Sequence, residues 1–403
     1  MVLKNLKLTF DSPQSAYFCE QTVSGRLIVE TDEPKKLQGV KIMFKGEAQC
    51  YWTESNTAFR NGEVQTITNH FRGNEKYFEK TVNVFGGTGN SEVLPAGEHS
   101  FQFTMLLPKN LPSSFERKNG FVRYTAKGVL ERPWKFDHEI ETPFTVISDK
   151  DPRLDPQNLK PVNLENSKMY CCCCCMTGPV TLAVNIPAVG YVCGQNISMT
   201  IEVDNASKVL KVCEVNCKFQ TIVTYYSTSP EASLQECTTS CHSFDGQVVE
   251  NSSRTWSWQF KIPALPPSSS RESNIINIQY QLQIEAVPEL PHVPLIHTIP
   301  IIIGAVPVEQ SIRPQPDAEL HVMRPIPSAP PSDSTPTTIR EPTDPDAPPP
   351  TYEETMRGEA NDSESDNVRQ VFGTLGFKPF YPSYTFDNNM SDKPEVVWRQ
   401  PQH

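Results

Sequence analysis

The chain has 403 residues, a net charge of −11 and 37% hydrophobic residues, enough for two or three domains with an apolar core in only part of its length. The acidic balance excludes a general nucleic-acid binder, which needs a basic face. The charge is uneven, at +1 over residues 1–148, −5 over 149–310 and −7 over 311–403. The first residues, Met1-Val2-Leu3-Lys4-Asn5-Leu6-Lys7, have neither the apolar run nor the cleavage pattern of a leader. No stretch approaches the ~18 apolar residues of a membrane span. These features lead us to expect a cytoplasmic protein, in which the twelve cysteines are mostly thiols.

Period-two alternation dominates the first 148 residues. Leu6, Leu8 and Phe10 share one face of a first strand, followed by Leu27 and Val29, then Val40, Ile42 and Phe44. Phe101, Phe103, Met105 and Leu107 form another face, and Val122, Tyr124, Ala126, Gly128 and Leu130 the next, with a last strand between Phe136 and Ile147. Many short strands without a βαβ rhythm predict an antiparallel sandwich over 1–148. Lys4 and Lys7, with Arg123 and Lys127, are candidates for an anion-binding surface.

Residues 149–177 read as a linker, broken by Pro152 and Pro156 and carrying the run Cys171-Cys172-Cys173-Cys174-Cys175. Five adjacent cysteines cannot all reach one tetrahedral metal, so no metal site is expected. Cys171, Cys172, Cys173, Cys174 and Cys175 are instead candidates for S-palmitoylation, several chains being needed for firm anchoring. Alternation resumes at Val180, Leu182, Val184 and Ile186 and runs through Ile197, Met199, Ile201 and Val203 to the stretch ending at Gly304. That predicts a second sandwich over 178–305. Cys213 and Cys217 fall on an apolar strand face, whereas Cys237, Cys241 and His242 read as part of a Ser/Thr-rich loop. No P-loop, dinucleotide turn, nucleophile elbow or His-Glu-x-x-His is present, so neither catalytic residues nor a cofactor is expected.

Residues 306–403 read as a disordered, Pro-rich tail; 16 of the 37 prolines fall in 311–403, and such a segment buries too little apolar surface to offset its ordering entropy. Within it stands Pro348-Pro349-Pro350-Thr351-Tyr352. Consecutive prolines pre-set a polyproline II helix, and P-P-x-Y is the pattern that WW domains read, so Pro349, Pro350 and Tyr352 are the WW-binding candidates. Tyr381-Pro382-Ser383-Tyr384 keeps the P-x-Y half, making Pro382 and Tyr384 a weaker candidate. Phe372, Phe377, Phe380 and Trp398 are unexpectedly apolar for such a tail.

The order Leu94-Pro95-Ala96-Gly97, Phe101-Gln102-Phe103, Leu107-Pro108, Leu111-Pro112-Ser113-Ser114-Phe115-Glu116, Val122-Arg123-Tyr124 and Arg132-Pro133-Trp134 resembles the N-terminal half of an arrestin domain of the α-arrestin kind. In that reading Phe101 and Phe103 fill the sandwich, and Tyr124 and Trp134 pack near a strand end. Gly178-Pro179-Val180, the strand around Tyr280 and Pro300–Gly304 resemble the C-terminal half. The resemblance implies a non-enzymatic adaptor. Its P-P-x-Y tail would bring a HECT-type ubiquitin ligase, through that ligase's WW domains, to membrane receptors or transporters. Cargo ubiquitination, endocytosis and endosomal sorting would follow, with the adaptor recruited from the cytoplasm to plasma membrane and endosomes. The alternative is a thioredoxin-binding redox regulator acting through Cys237 or Cys241, as in another branch of that family.

Overall fold

The computed structural model describes residues 3–60, 63–87, 89, 91–148, 155–172, 175–269, 272–305, 376–385 and 395–401. They fold almost entirely into strands, with a 3-10 turn at Pro156–Leu159. The first sandwich holds β1 (Leu3–Phe10), β2 (Ala16–Phe18), β3 (Thr22–Thr31), β4 (Lys35–Leu37), β5 (Gly39–Arg60), β6 (Glu63–Gly86), β7 (Glu92–Leu94), β8 (Gly97–Leu106), β9 (Phe115–Arg117), β10 (Gly120–Glu131) and β11 (His138–Ile147). One sheet runs β1-β3-β8 and the facing sheet β2-β11-β10-β5-β6. The second sandwich holds β12 (Val162–Cys172), β13 (Cys175–Ile186), β14 (Gly190–Val192), β15 (Asn196–Asn205), β16 (Val212–Thr228), β17 (Glu231–Phe244), β18 (Ser252–Lys261), β19 (Ile276–Pro288) and β20 (Leu295–Gly304). Its sheets run β12-β13-β15-β18 and β14-β20-β19-β16-β17. Each sandwich is antiparallel except for one short strand, β2 beside β11 and β14 beside β20, that pairs in parallel.

The period-two patterns account for these layers. In β15 every second residue is buried, so that Ile197, Met199, Ile201 and Val203 form one apolar face and Ser198, Thr200 and Glu202 the wet one. In the central strand β10, hydrogen-bonded between β11 and β5, Val122, Tyr124, Ala126 and Leu130 form the buried apolar face, and the other face alternates Phe121 and Val129 with the partly covered Arg123, Lys127 and Glu131. Tyr124 is fully buried there, its hydroxyl donating to Pro112 O at 2.6 Å.

The sequence expectations need correction at three places. The second sandwich takes in residues assigned above to the linker: β12 pairs with β13 from Val162 opposite Ile186 to Cys172 opposite Cys175, so the backbones of Cys171, Cys172 and Cys175 belong to its ladder. Prolines in 149–156 signal a boundary, but alternation had already resumed at Val162. Cys237, Cys241 and His242 are on strand β17, paired along its length with β16, rather than in a loop. Ser and Thr suit an edge strand with two exposed faces as well as they suit a loop. Trp134 does not pack: it is fully exposed, with a left-handed backbone (φ 61°), in the turn between β10 and β11.

The two sandwiches meet along β5, β6 and β16. Arg72 and Ser229 exchange backbone hydrogen bonds at 3.3 and 3.2 Å. The Glu75 carboxylate accepts from Ser273 Oγ and from Asn274 N, both at 3.0 Å, and from Asn274 Nδ2 at 2.6 Å. Arg117 donates to Thr238 Oγ1 at 3.1 Å and Ser148 to Glu272 at 3.2 Å. The hydrogen bonds across this seam are thus made largely by polar side chains.

Candidate functional site

The described residues near the C-terminus form a two-stranded ribbon, β21 (Tyr381–Thr385) paired antiparallel with β22 (Glu395–Arg399). The ribbon reaches both sandwiches, so strand structure stands where an unstructured tail was expected. Tyr381, Pro382, Ser383 and Tyr384 are all buried. Residues three apart on a strand point to opposite faces, and each tyrosine accordingly serves a different sandwich. Tyr381 donates its hydroxyl to Ser114 O at 3.0 Å, and Phe380 N donates to Thr145 Oγ1 at 3.1 Å, both acceptors lying in the first sandwich. Tyr384 donates its hydroxyl to Ala305 O at 2.8 Å and its backbone N–H to Cys193 O at 2.9 Å, both in the second. Ile147, Ala264 and Ala305 pack around Tyr381, and Trp398 stacks at a tilt on Phe18 with 5.7 Å between ring centres.

The crevice is shaped for this strand. Gly194 has φ +92°, and a Cβ there would stand 2.1 Å from Tyr384 O, inside the contact limit of backbone. Burial holds the Tyr381 phenol protonated at every ordinary pH, and Glu116 nearby adds to that. Beside the end of β21 an open depression of about 350 Å³ is lined by Tyr191, Gly194, Gln195, Asn196, Lys261 and Thr385. Pro382 and Tyr384, expected as an exposed recognition sequence, are thus part of this packing. Nothing local could have revealed it: the partners of Tyr381 and Tyr384 lie between 79 and 267 residues away.

The other expected site residues are scattered. Pro349, Pro350 and Tyr352 lie outside the described residues, as do Cys173 and Cys174. The backbones of Cys171 and Cys172 end β12, and that of Cys175 begins β13. The basic surface expected of Lys4, Lys7, Arg123 and Lys127 is not assembled, because β1 and β10 belong to different sheets. The charges also have partners of their own: Lys4 pairs with Asp32 at 2.7 Å, Lys127 with Glu139 at 2.5 Å, and Arg123 with Glu116 at 2.7 Å. Arg123 also lies 3.9 Å from the centre of the Phe121 ring. Its pairing opposes, without overcoming, the upward push of burial on the Glu116 carboxyl.

Cys237 and Cys241 are exposed. Four positions apart on one strand, they are separated by roughly 13 Å, too far for a disulfide between them. His242 stacks flat on Trp258, ring centres 4.9 Å apart, and its edge meets Phe244. Cys217 is buried and contacts Met199 Sδ at 3.9 Å. Among the described residues, no group of three His, Cys, Asp or Glu is arranged to hold a metal.

Comparison with known proteins places this geometry. Residues 6–152 match the family described as Arrestin (or S-antigen), N-terminal domain, and residues 176–308 match Arrestin (or S-antigen), C-terminal domain. The chain is 29% identical to arrestin domain-containing protein 17 of Caenorhabditis elegans, over 95% of this chain and 99% of that protein. It is 28% identical to arrestin domain-containing protein 4 of Mus musculus, over 76% and 72% of the two chains. The human arrestin domain-containing protein 1 is 26% identical over 64% of this chain and 58% of its own.

Proposed function

This chain belongs to the arrestin-domain-containing proteins, and on that premise we propose that it is a non-enzymatic adaptor linking a WW-domain HECT ubiquitin ligase to membrane receptors or transporters. The observation that carries the reading is Pro349-Pro350-Thr351-Tyr352, placed in the long segment between the second sandwich and the C-terminal ribbon. A polyproline II segment ending in tyrosine docks in an aromatic groove with little loss of chain entropy. The mechanism is proximity: a ligase held by this tether works at high effective concentration on cargo held by the sandwiches. Ubiquitination would then direct the cargo through endocytosis to endosomes. Cytoplasmic residence with recruitment to plasma membrane and endosomes belongs to the same proposal.

Peripheral membrane association through acylated Cys171–Cys175 fits the position of the run. It follows Tyr170, whose hydroxyl donates to Val293 O at 3.0 Å and whose ring meets His292 edge-on. The loop carrying those residues also presents Leu290, 91% exposed, and Val293, 60% exposed. Acyl chains there would sit beside an apolar loop suited to the membrane interface. The redox alternative, a mixed disulfide between thioredoxin and Cys237 or Cys241, would use two exposed thiols that cannot pair with each other.

Titration of the full chain with isolated WW domains of a HECT ligase tests the central point. Binding in the micromolar range, about −8 kcal/mol, should be largely abolished by Tyr352→Ala and blocked by phosphate on Tyr352, which would place charge in an apolar groove. Equal binding by wild type and Tyr352→Ala would remove the ligase from the proposal and leave the adaptor family intact.

A further inference from the structure

The C-terminal ribbon makes no use of either sandwich alone. Its first strand is buried on both faces, and the four hydrogen bonds described between it and the body divide evenly, two to Ser114 and Thr145 and two to Cys193 and Ala305. A strand with apolar character on both faces is the pattern of an element enclosed between two layers. Here the layers are separate domains. The other described seam between them is the one along β5, β6 and β16, where polar side-chain hydrogen bonds stand beside apolar contacts such as the Tyr225 ring at Gly120 and Ile275 at Gly73. The ribbon adds an apolar patch, with Tyr381 against Ile147 from one sandwich and Ala264 and Ala305 from the other.

The receptor side is equally specific. Tyr384 needs a bare backbone carbonyl at Cys193 and a glycine at 194, because any side chain there would occupy the space of its own carbonyl. Ser114 O and Ala305 O are the two phenol acceptors, and both residues lie just outside the strands of their sandwiches. Residues 306–375 lie outside the described residues, yet the chain is held on both flanks, at Ala305 and at Phe380.

We propose that β21, with Phe380 before it, is an intramolecular ligand of the crevice between the sandwiches, a clamp that fixes the two domains relative to each other. Because the strand belongs to the same chain as its seat, its local concentration there is high. The sequence Tyr-Pro-Ser-Tyr is then an address for this crevice. A WW domain could reach Tyr384 only after the strand has left its seat. The clamp does not depend on the ligase proposal, and its test contains no WW domain.

Hydrogen exchange on the intact chain, followed by mass spectrometry, decides it. In the wild type, peptides covering 380–385 should be protected at least tenfold over peptides from 340–360. Gly194→Ala and the double variant Tyr381→Ala, Tyr384→Ala should each erase most of that protection and also speed exchange at Arg72 and Ser229, across the other seam. Tyr384→Phe keeps the ring and removes one hydrogen bond; loss of ~1 kcal/mol should speed exchange at 380–385 about fivefold while the core strand β10 stays unchanged. Rapid exchange at 380–385 in the wild type would overturn the seating. Release of the strand with no change at Arg72 and Ser229 would overturn the clamp. Should one of the alanine variants fail to fold, seen as loss of protection in β10, Tyr384→Phe decides both points: faster exchange at 380–385 together with faster exchange at Arg72 and Ser229 supports the clamp, and faster exchange at 380–385 alone overturns it.

Discussion

Tyr17-Phe18-Cys19-Glu20-Gln21 leads into β3 of the first sandwich, and Tyr191-Val192-Cys193-Gly194-Gln195 leads into β15 of the second. Four contacts in and around the two turns correspond atom for atom, although the Tyr191 hydroxyl donates to Ala188 O and that of Tyr17 is buried without a partner among the described residues. Gln21 Oε1 accepts from Phe18 N at 2.9 Å, and Gln195 Oε1 accepts from Val192 N at 2.8 Å. Cys19 Sγ donates to Leu111 O at 3.6 Å, and Cys193 Sγ to Leu265 O at 3.4 Å. Tyr124 binds Pro112 O at 2.6 Å, and Tyr280 binds Pro266 O at 2.7 Å. Ser114 Oγ and Ser268 Oγ accept from Val146 N and Ile303 N, each at 2.9 Å. The chain therefore contains one design twice, with Leu111-Pro112 and Leu265-Pro266 as matching loops. The turns part at two positions, Phe18 against Val192 and Glu20 against Gly194, and the second decides what each can receive. Glu20 and Gly194 both have left-handed backbones, with φ 62° and 92°, but only the glycine leaves room for another backbone. The repeat supplies the turn; the loss of one side chain turns it into a receptor.

The strongest way to break this equivalence is at its aromatic centres. Tyr124→Ala and Tyr280→Ala each remove a buried ring and a bonded hydroxyl, and each should cost about 3–5 kcal/mol of stability in chemical denaturation. Markedly different costs would mean that the two loops only look alike. The phenylalanine variants are gentler: each leaves a prolyl carbonyl without its donor, for about 1–3 kcal/mol. Adding a Cβ sharpens the contrast between the turns. Gly194→Ala should cost about 1–3 kcal/mol from its backbone conformation and release the C-terminal ribbon, read as a change in fluorescence of Trp398. Glu20→Gly should be close to neutral, because relief of the left-handed strain offsets the added freedom of the unfolded chain. Trp398 itself rests on Phe18 of the first turn, so a Trp398 change in Glu20→Gly would report that contact, and only faster exchange at the Tyr384 amide would mean release of the strand. Glu75→Ala, at the seam along β5, β6 and β16, should cost only about 0.5–1.5 kcal/mol, because the Asn274 N–H it releases is exposed and water can take the place of the carboxylate.

Much of the fold was legible because half-buried strands write their burial directly into the sequence. Val180, Leu182, Val184 and Ile186 alternate, and all four are buried. Phe103, Met105 and Leu107 do the same, with Phe101 only partly covered. Edge strands were harder. In β17 both faces are largely exposed, so the Ser/Thr-rich stretch around Cys237 and Cys241 carried no period to read. The anion surface failed for a different reason: Lys4 and Arg123 are each well placed on a strand, but the pairing that puts their strands in opposite sheets is not a local property. Tyr381 and Tyr384 were noticed as tyrosines beside a proline, which is also how a recognition motif reads. What separates an exposed motif from a buried strand is the surface it meets, and that surface is built by residues 114, 145, 193 and 305.

The repeat also makes a pH prediction, the smallest in size. Burial pushes the Cys193 thiol from an ordinary value of 9.0 to about 12, the nearby Leu265 and Cys193 backbone groups only partly opposing it. A folded-state value above the unfolded one means that the native chain holds its proton longer. The stabilisation is complete below the unfolded value near 9, declines as pH rises through it, and is fully lost only beyond the folded value near 12. Between pH 8 and 9.5 the unfolded thiol ionises while the native one does not, so one such group lowers stability by roughly 1 kcal/mol. Burial acts in the same direction on Cys217, also to about 12, and on Cys50, to about 11. Denaturation curves at pH 8 and 9.5 for the wild type and Cys193→Ala should therefore differ in slope: the variant loses less stability over that interval, whatever its stability at pH 8. This window lies below the titration of the tyrosines in the unfolded chain, so Tyr124 and Tyr280 add little to it. An identical pH dependence in both proteins would mean that Cys193 reaches solvent, and that the turn receiving Tyr384 is open for enough of the time to ionise.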